Sequence, residues 1–298
     1  MRVLTAVAGE REAGKAVRTA VPRLFSLGNH EFRRLKQQGG LLVNGEPVHA
    51  DRILRPGDLV EVRLPDEGGS DGLSLPLESQ GCRIVYLDAD LIAVVKAAPL
   101  ATLPGAHEQA DTLREILRDL LRAEDSSFRY HPVNRLDKGT SGLMLVARHA
   151  HAQRLLSAGL HTDDFIREYL AVTEGIPKDA EGEIDVPIAK AGSGARRCAR
   201  QDGRSALTRY RVEAASGGRA LLRLHLFTGR THQIRVHLAY IGCPIVGDYL
   251  YGREHPALPN RFALHSCLLD FLHPIKKERI FLQDPPPEIF ETLLREKP

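Results

Sequence analysis

Three polar segments hold the side chains best suited to chemistry. They are Asn134-Arg135-Leu136-Asp137-Lys138-Gly139-Thr140-Ser141-Gly142, the stretch from Gly229 to Leu238, and Gly247-Asp248-Tyr249-Leu250-Tyr251-Gly252. Asp137, flanked by Arg135 and Lys138 and followed by turn-forming residues, reads either as a turn aspartate or as a reactive carboxylate. In the second segment, helical spacing puts His232 and Arg235 on one side and Ile234, Leu238 and Ile241 on the other, so a polar edge points away from the core. His225, His232 and His237 lack the four-residue spacing and intervening Glu of a helical zinc motif, and no metal is expected. Ser141 lies in Thr-Ser-Gly-Leu, outside the Gly-x-Ser-x-Gly elbow of a serine hydrolase. Gly192-Ser193-Gly194 lacks the third glycine of a dinucleotide loop, precedes Arg196-Arg197, and reads as a flexible basic turn.

Apolar strands and helices must position these groups. Asn29 is a candidate cap for a helix over Glu31 to Lys36, which Gly39-Gly40 would stop. The strand Leu41-Leu42-Val43, the Asn44-Gly45 hairpin signal and the alternating strand Leu59 to Arg63 complete a small helix-plus-hairpin module, residues 1–65. Residues 66–80 are rich in Gly, Ser and Pro, carry Asp66, Glu67, Asp71 and Glu78, contain no basic residue, and read as a linker. In the second domain, residues 81–298, apolar runs at Cys82 to Leu87 and Leu91 to Lys96 precede a helix with Leu113, Ile116, Leu117, Leu120 and Leu121 on one face. Thr112 and Glu115 form its capping box. Further strands fall at Leu143 to Ala147, Ile166 to Val172, Ser205 to Val212 and Ala220 to Phe227, with helices near His151 to Leu160 and Thr231 to Ile241. Strands outnumber helices and do not alternate with them regularly, so the fold class is α+β: a mixed, largely antiparallel sheet with flanking helices.

Composition narrows the function. The 298 residues are 43% hydrophobic and 27% charged, as expected of a folded globular protein. Seven Tyr, nine Phe and no Trp leave little for a surface built on aromatic base stacking, so nucleic-acid contact would rest on charge and shape. The net charge is only +3, but between Arg11 and Lys36 the basic residues Arg11, Lys15, Arg18, Arg23, Arg33, Arg34 and Lys36 face only Glu12 and Glu31. Apolar runs such as Ala97 to Leu103 stop well short of the roughly 18 residues a membrane span needs. No apolar core follows Arg2 to suggest a secretory signal, and a cytoplasmic location is expected. Cys82, Cys198, Cys243 and Cys267 are widely separated and read as reduced, mostly buried thiols.

Asn134 to Arg148, Arg167-x-Tyr169, Gly229 to Gly252 and Leu264-His265 to His273-Pro274 together resemble the RluA-type pseudouridine synthases, from about Gly81 to the carboxyl end. The amino-terminal module, with Phe32 to Lys36, Val43-Asn44-Gly45 and Gly57-Asp58, is similar to the RNA-binding domain named after ribosomal protein S-four. The resemblance implies an enzyme that detaches uracil from ribose, rotates it and rejoins it through carbon 5, with no cofactor or metal. It assigns the essential aspartate to Asp137, its arginine partner to Arg235, and the tyrosine stacking on uracil to Tyr169. Arg135 would enter the space the flipped base vacates, and Leu268 would pack at the site floor. Arg230, His232 and Gln233 are expected to bind substrate, and Arg33, Arg34 and Lys36 to grip RNA. An arginine partner lowers a carboxylate pKa by about 1 to 3 units, which would make Asp137 a nucleophile or base, with attack at the anomeric carbon and proton removal at the next carbon both open. Asn134 replaces the usual His, Arg167 the usual Lys, and Lys96-Ala97-Ala98-Pro99 a tighter Lys-Pro pair.

The expected substrate is large-subunit ribosomal RNA, with transfer RNA as the alternative and a monomer as the working state. Two other classes stay open. A glycoside or nucleoside hydrolase would use Asp137 and Asp248 as a carboxylate pair. A silent RNA-binding or assembly protein would not need Asp137.

Overall fold

The computed structural model describes residues 2–64, 77–105, 112–121 and 128–296. The first stretch contains β1 (Arg2–Val7), α1 (Val17–Leu24), α2 (Asn29–Gln37), β2 (Leu41–Val43), β3 (Glu46–Pro47) and β4 (Leu59–Leu64). Its strands form one sheet in the order β1-β4-β2-β3, and both helices pack on it through Val17, Val21, Phe25 and Leu35 against Leu41, Val60 and Val62. Asn44 and Gly45 both have positive φ, 53° and 81°, as a two-residue hairpin turn requires. Helix α2 begins one residue earlier than a cap at Asn29 would allow. Glu31 Oε2 accepts the Gly28 N–H at 2.8 Å, so Gly28 is the cap and Asn29 the first helical residue.

The remaining elements are β5 (Leu77–Ser79), β6 (Cys82–Leu87), β7 (Leu91–Lys96), α3 (Leu113–Leu121), β8 (His131–Pro132), β9 (Ser141–Ala147), α4 (Ala150–Gly159), β10 (Phe165–Glu174), β11 (Glu181–Asp185), β12 (Ile188–Lys190), β13 (Arg197–Ala199), β14 (Leu207–Ser216), β15 (Arg219–Leu226), α5 (Gln233–Tyr240), β16 (Leu264–Leu272), β17 (Arg279–Gln283) and α6 (Ile289–Arg295). An 11-stranded sheet runs β11-β14-β15-β10-β16-β9-β7-β6-β5, with β17 on β16 and β8 on β9. Most of the segment read as a linker lies outside the described residues. Its end does not act as one, because β5 pairs with β6, Leu77 opposite Ile84.

Strands β7 and β9 are buried on both faces. Ile92, Val94, Met144 and Val146 join one apolar cluster, and Leu91, Ala93, Leu143 and Leu145 join another. This explains why they read as continuous apolar runs while β15 alternates. The two halves of the sheet meet at a parallel seam of two residue pairs, His265 with Ser141 and Ser266 with Gly142. Gly142 is obligatory there: its φ is +105°, and a Cβ would lie 2.2 Å from the Ser266 carbonyl oxygen. The Ser141 hydroxyl and His265 Nδ1, 3.0 Å apart, tie the same seam through side chains.

Candidate active site

A cavity of 460 Å³ opens beside this seam, lined among others by Asn134, Arg135, Asp137, His161, Arg167, Tyr169, Arg230 and His232. The loop before β9 carries Asp137 and is pinned on several sides. Thr102 Oγ1 donates to the Leu136 carbonyl at 2.8 Å, Leu100 N–H to the Lys138 carbonyl at 3.0 Å, and Thr140 N–H to the Asp137 carbonyl at 3.0 Å. Asn134 accepts the Leu145 N–H on Oδ1 at 2.9 Å, so the residue standing in place of the usual His binds backbone. Behind the loop, Lys96 is fully buried and donates to the Ala97 and Leu100 carbonyls, and burial pushes its ammonium down to about 7.

Helix α5 brings Arg235 to the carboxylate. Its Nη1 donates to Asp137 Oδ2 at 3.2 Å, while Nε and Nη2 donate to Asp248 Oδ2 and Oδ1 at 2.7 and 2.8 Å. Asp248 has no exposed surface and also accepts the N–H groups of Leu250 and Tyr251. The guanidinium lies over the Phe262 ring, 4.3 Å from its centroid. Burial alone would lower the Arg235 pKa, but the bonds to Asp248 and the charge of Asp137 raise it overall. Asp137 is only partly buried, so it faces the cavity while its partner sits behind it.

His232 stands at the start of α5 in the left-handed region, φ 59°, a conformation that costs a non-glycine residue about 1–2 kcal/mol. Its Nδ1 lies 2.8 Å from the Tyr251 hydroxyl and its Nε2 3.8 Å from Asp137 Oδ2. The Tyr251 oxygen accepts the Arg197 N–H at 2.8 Å. With Tyr251 donating to Nδ1, the ring proton sits on Nε2 and faces Asp137. Burial, outweighing the Asp137 charge, holds this imidazole below its ordinary pKa.

Of the residues expected from sequence, Asp137, Tyr169, Arg135, Arg230 and His232 line the cavity, and Arg235 lies directly behind Asp137. Arg135 is exposed at the rim, and Tyr169 is buried in the wall, where burial raises its phenol. Two residues are placed elsewhere. Gln233 is not free for substrate: its Oε1 accepts from Thr228 and the Arg230 N–H, and its Nε2 donates to the Leu207 carbonyl and Thr208. Leu268 belongs to the buried cluster that includes Tyr169 and does not line the cavity. Arg33 and Lys36 are exposed on α2 and Arg34 is half-buried.

The carboxylate-pair reading fails on geometry. Asp137 and Asp248 share one guanidinium, and Asp248 is sealed from the cavity, so no water can sit between them and neither is placed as a proton donor. The three histidines have separate partners: Tyr251 for His232, Thr208 and the Val186 carbonyl for His237, the Phe227 ring for His225. Among the described residues, Asp88, Asp90 and His273 bring ligand-type atoms together. There, however, Asp88 Oδ2 is already taken by His273 at 2.8 Å, Lys276 at 2.9 Å and Tyr86 at 2.9 Å. Of the site groups, His161 carried no signal in the sequence; Asp248 and Tyr251 lay in the third polar segment, but nothing there pointed to their contacts with Arg235 and His232.

The family model for RNA pseudouridylate synthase matches residues 90–240. A ribosomal large subunit pseudouridine synthase D from Xanthomonas campestris is 35% identical over 313 residues, covering 97% of this chain and 91% of that protein. The Bacillus subtilis RNA pseudouridine synthase YjbO is 34% identical over 261 residues, covering 86% and 90%. The solved structure of human RNA pseudouridylate synthase domain containing 4 superimposes with a TM-score of 0.58 at 24% identity, over 71% of this chain and 91% of that one, and so shares the fold. The chain belongs to the RNA pseudouridine synthase family. Within it, the chain is of the RluA type.

Proposed function

We propose that this protein converts uridine to pseudouridine in large-subunit ribosomal RNA, with Asp137 as the reacting carboxylate. The observation that carries the reading is the Asp137–Arg235–Asp248 chain at the edge of a cavity sized for one nucleotide. Arg235 binds a single oxygen of Asp137, which leaves the other free to attack C1′ or to take the C2′ proton. Tyr169 offers a ring for the uracil, and Arg135 at the rim is available to fill the gap left by the flipped base, whose extrusion costs a few kcal/mol in a duplex.

The ribosomal substrate is favoured by the amino-terminal module, read as S-four-like. Helix α2 displays Arg33 and Lys36, while Glu31 on the same helix pairs with Arg154 of α4, so a basic surface is held against the catalytic sheet. The Xanthomonas relative is named for the large ribosomal subunit, which agrees with this choice.

Joining ribose to carbon 5 must expel the hydrogen there, so the test is release of tritium from RNA labelled at carbon 5 of uridine. Intact protein should release it from ribosomal RNA and Asp137→Asn should not, with RNA affinity held within a few fold. Normal turnover by Asp137→Asn would overturn the assignment, and release from transfer RNA alone would move the substrate.

A further inference from the structure

The cavity wall contains a cation without a counter-ion. Arg167 on β10 is 4% exposed, and no carboxylate within ion-pair distance accompanies it among the described residues. Its Nη2 donates to the Leu160 carbonyl at 3.1 Å, while its Nε is buried with no hydrogen-bond partner. A buried charge left uncompensated is costly, and chains retain one where a ligand supplies the opposite charge. Burial lowers its pKa, as expected of a charge held away from water.

The surroundings fit an anion. His161, from the loop after α4, and Arg230, from the loop after β15, line the same cavity. The backbone of Gly229 runs alongside: a Cβ there would stand in ordinary contact, 3.4 Å from Arg167 Nη1 and 3.5 Å from His161 Cε1. Arg167 and Tyr169 are two residues apart on one strand and share a face, about 6.6 Å along β10. That span is comparable to the one from a nucleobase to the phosphate on its own ribose. A planar guanidinium with a free N–H matches two phosphate oxygens, which an ammonium cannot do.

We propose that Arg167, supported by His161 and Arg230, forms a phosphate subsite for a phosphodiester adjoining the uridine whose base lies against Tyr169. The assignment of the base rests on the uridine-isomerising reading above. The subsite fixes the nucleotide by its backbone, and Asp137 meets the ribose as a consequence.

The test uses intact protein and two variants, Arg167→Met, which removes the charge but keeps an apolar stem, and Arg167→Lys, which keeps the charge. Uridine, uridine 5′-monophosphate and uridine 3′-monophosphate are titrated separately by NMR. One monophosphate should bind the intact protein at least tenfold more tightly than uridine, which identifies the phosphate concerned. The advantage should vanish in Arg167→Met and survive in part in Arg167→Lys. No monophosphate preference, or one that persists in Arg167→Met, overturns the subsite. In parallel, the salt dependence of kcat/KM for tritium release from a ribosomal RNA transcript should lose about 0.7 to 0.9 of its log–log slope in Arg167→Met, the amount expected of one phosphate contact. An unchanged slope with lowered activity would mean that Arg167 serves the base or the fold. Absence of tritium release by intact protein would defeat the uridine reading and leave the monophosphate comparison to decide the subsite.

Discussion

Arg235 and Asp248 are joined by two parallel hydrogen bonds, 2.7 and 2.8 Å long, where Arg235 is 3% exposed and Asp248 is not exposed at all. This pair fixes the guanidinium plane, and the remaining N–H of Arg235 reaches Asp137 only because that plane is fixed. Asp248→Asn leaves a buried cation short of its main partner, a change that costs about 3–5 kcal/mol. Thermal unfolding should show a clear drop in Tm. The surviving folded enzyme should also lose turnover, because Arg235 is then free to rotate away. A variant with unchanged Tm and unchanged turnover would show that Arg235 does not depend on Asp248.

Tyr251 acts on Asp137 at one remove, by holding His232 Nδ1. Tyr251→Phe deletes that hydrogen bond, together with the one the hydroxyl accepts from the Arg197 N–H, and keeps the ring that stands edge-on to the imidazole. One hydrogen bond is worth about 1 kcal/mol, so kcat should fall roughly fivefold to tenfold while RNA affinity stays within about twofold. A change in affinity with kcat untouched would place Tyr251 in RNA binding instead.

His237 is fully buried, and burial holds its pKa below the ordinary value of 6.5. The unfolded chain therefore takes up a proton near pH 6.5 that the folded chain refuses. Stability from this residue is complete above about pH 6.5 and declines as the pH falls below it, by at most about 1.4 kcal/mol per pH unit. His237→Gln removes the titrating group. Comparing Tm at pH 7.5 and 5.5 should show a smaller decrease in the variant than in the original chain, and an equal decrease would mean that other groups account for it.

Replacing Arg33, Arg34 and Lys36 together by Gln should weaken RNA binding and flatten its salt dependence while leaving Tm almost unchanged, since Arg33 and Lys36 are exposed. Filter binding across a salt series would measure this. Unaltered affinity and slope would remove α2 from the RNA interface.

How much of this was legible in the sequence depended on whether a residue's role was local. Strands β6 and β7 match their expected limits; β7, buried on both faces, carries an unbroken apolar signal, and β6, only half-buried, is bounded by the Asp88-Ala89-Asp90 turn that separates the two. Strand β1 carries a blurred period of two, because two of its three outward residues are apolar, Val3 44% and Val7 64% exposed. Asp137 and Arg235 could be paired from the family pattern although 98 residues separate them. The part played by Asp248 could not be seen, because an aspartate in a Gly-Asp turn looks the same whether it meets solvent or a buried guanidinium. Gln233 is ambiguous for a related reason: a polar residue beside a reactive site reads as a ligand for substrate, yet its hydrogen bonds go to Leu207, Thr208, Thr228 and Arg230.

The seam between β9 and β16 joins residues 124 positions apart in the chain, through only two backbone pairs. Before it closes, the loop bearing Asp137 belongs to one half of the sheet and Tyr169 and Arg235 to the other, so no fragment of the fold has a working site. High-separation contacts of this kind carry a large loop-closure penalty and tend to form late during folding. Catalytic competence should therefore arise in the last assembly step, well after the hairpins on either side have formed. A newly made chain would complete its separate hairpins before it could alter a single base.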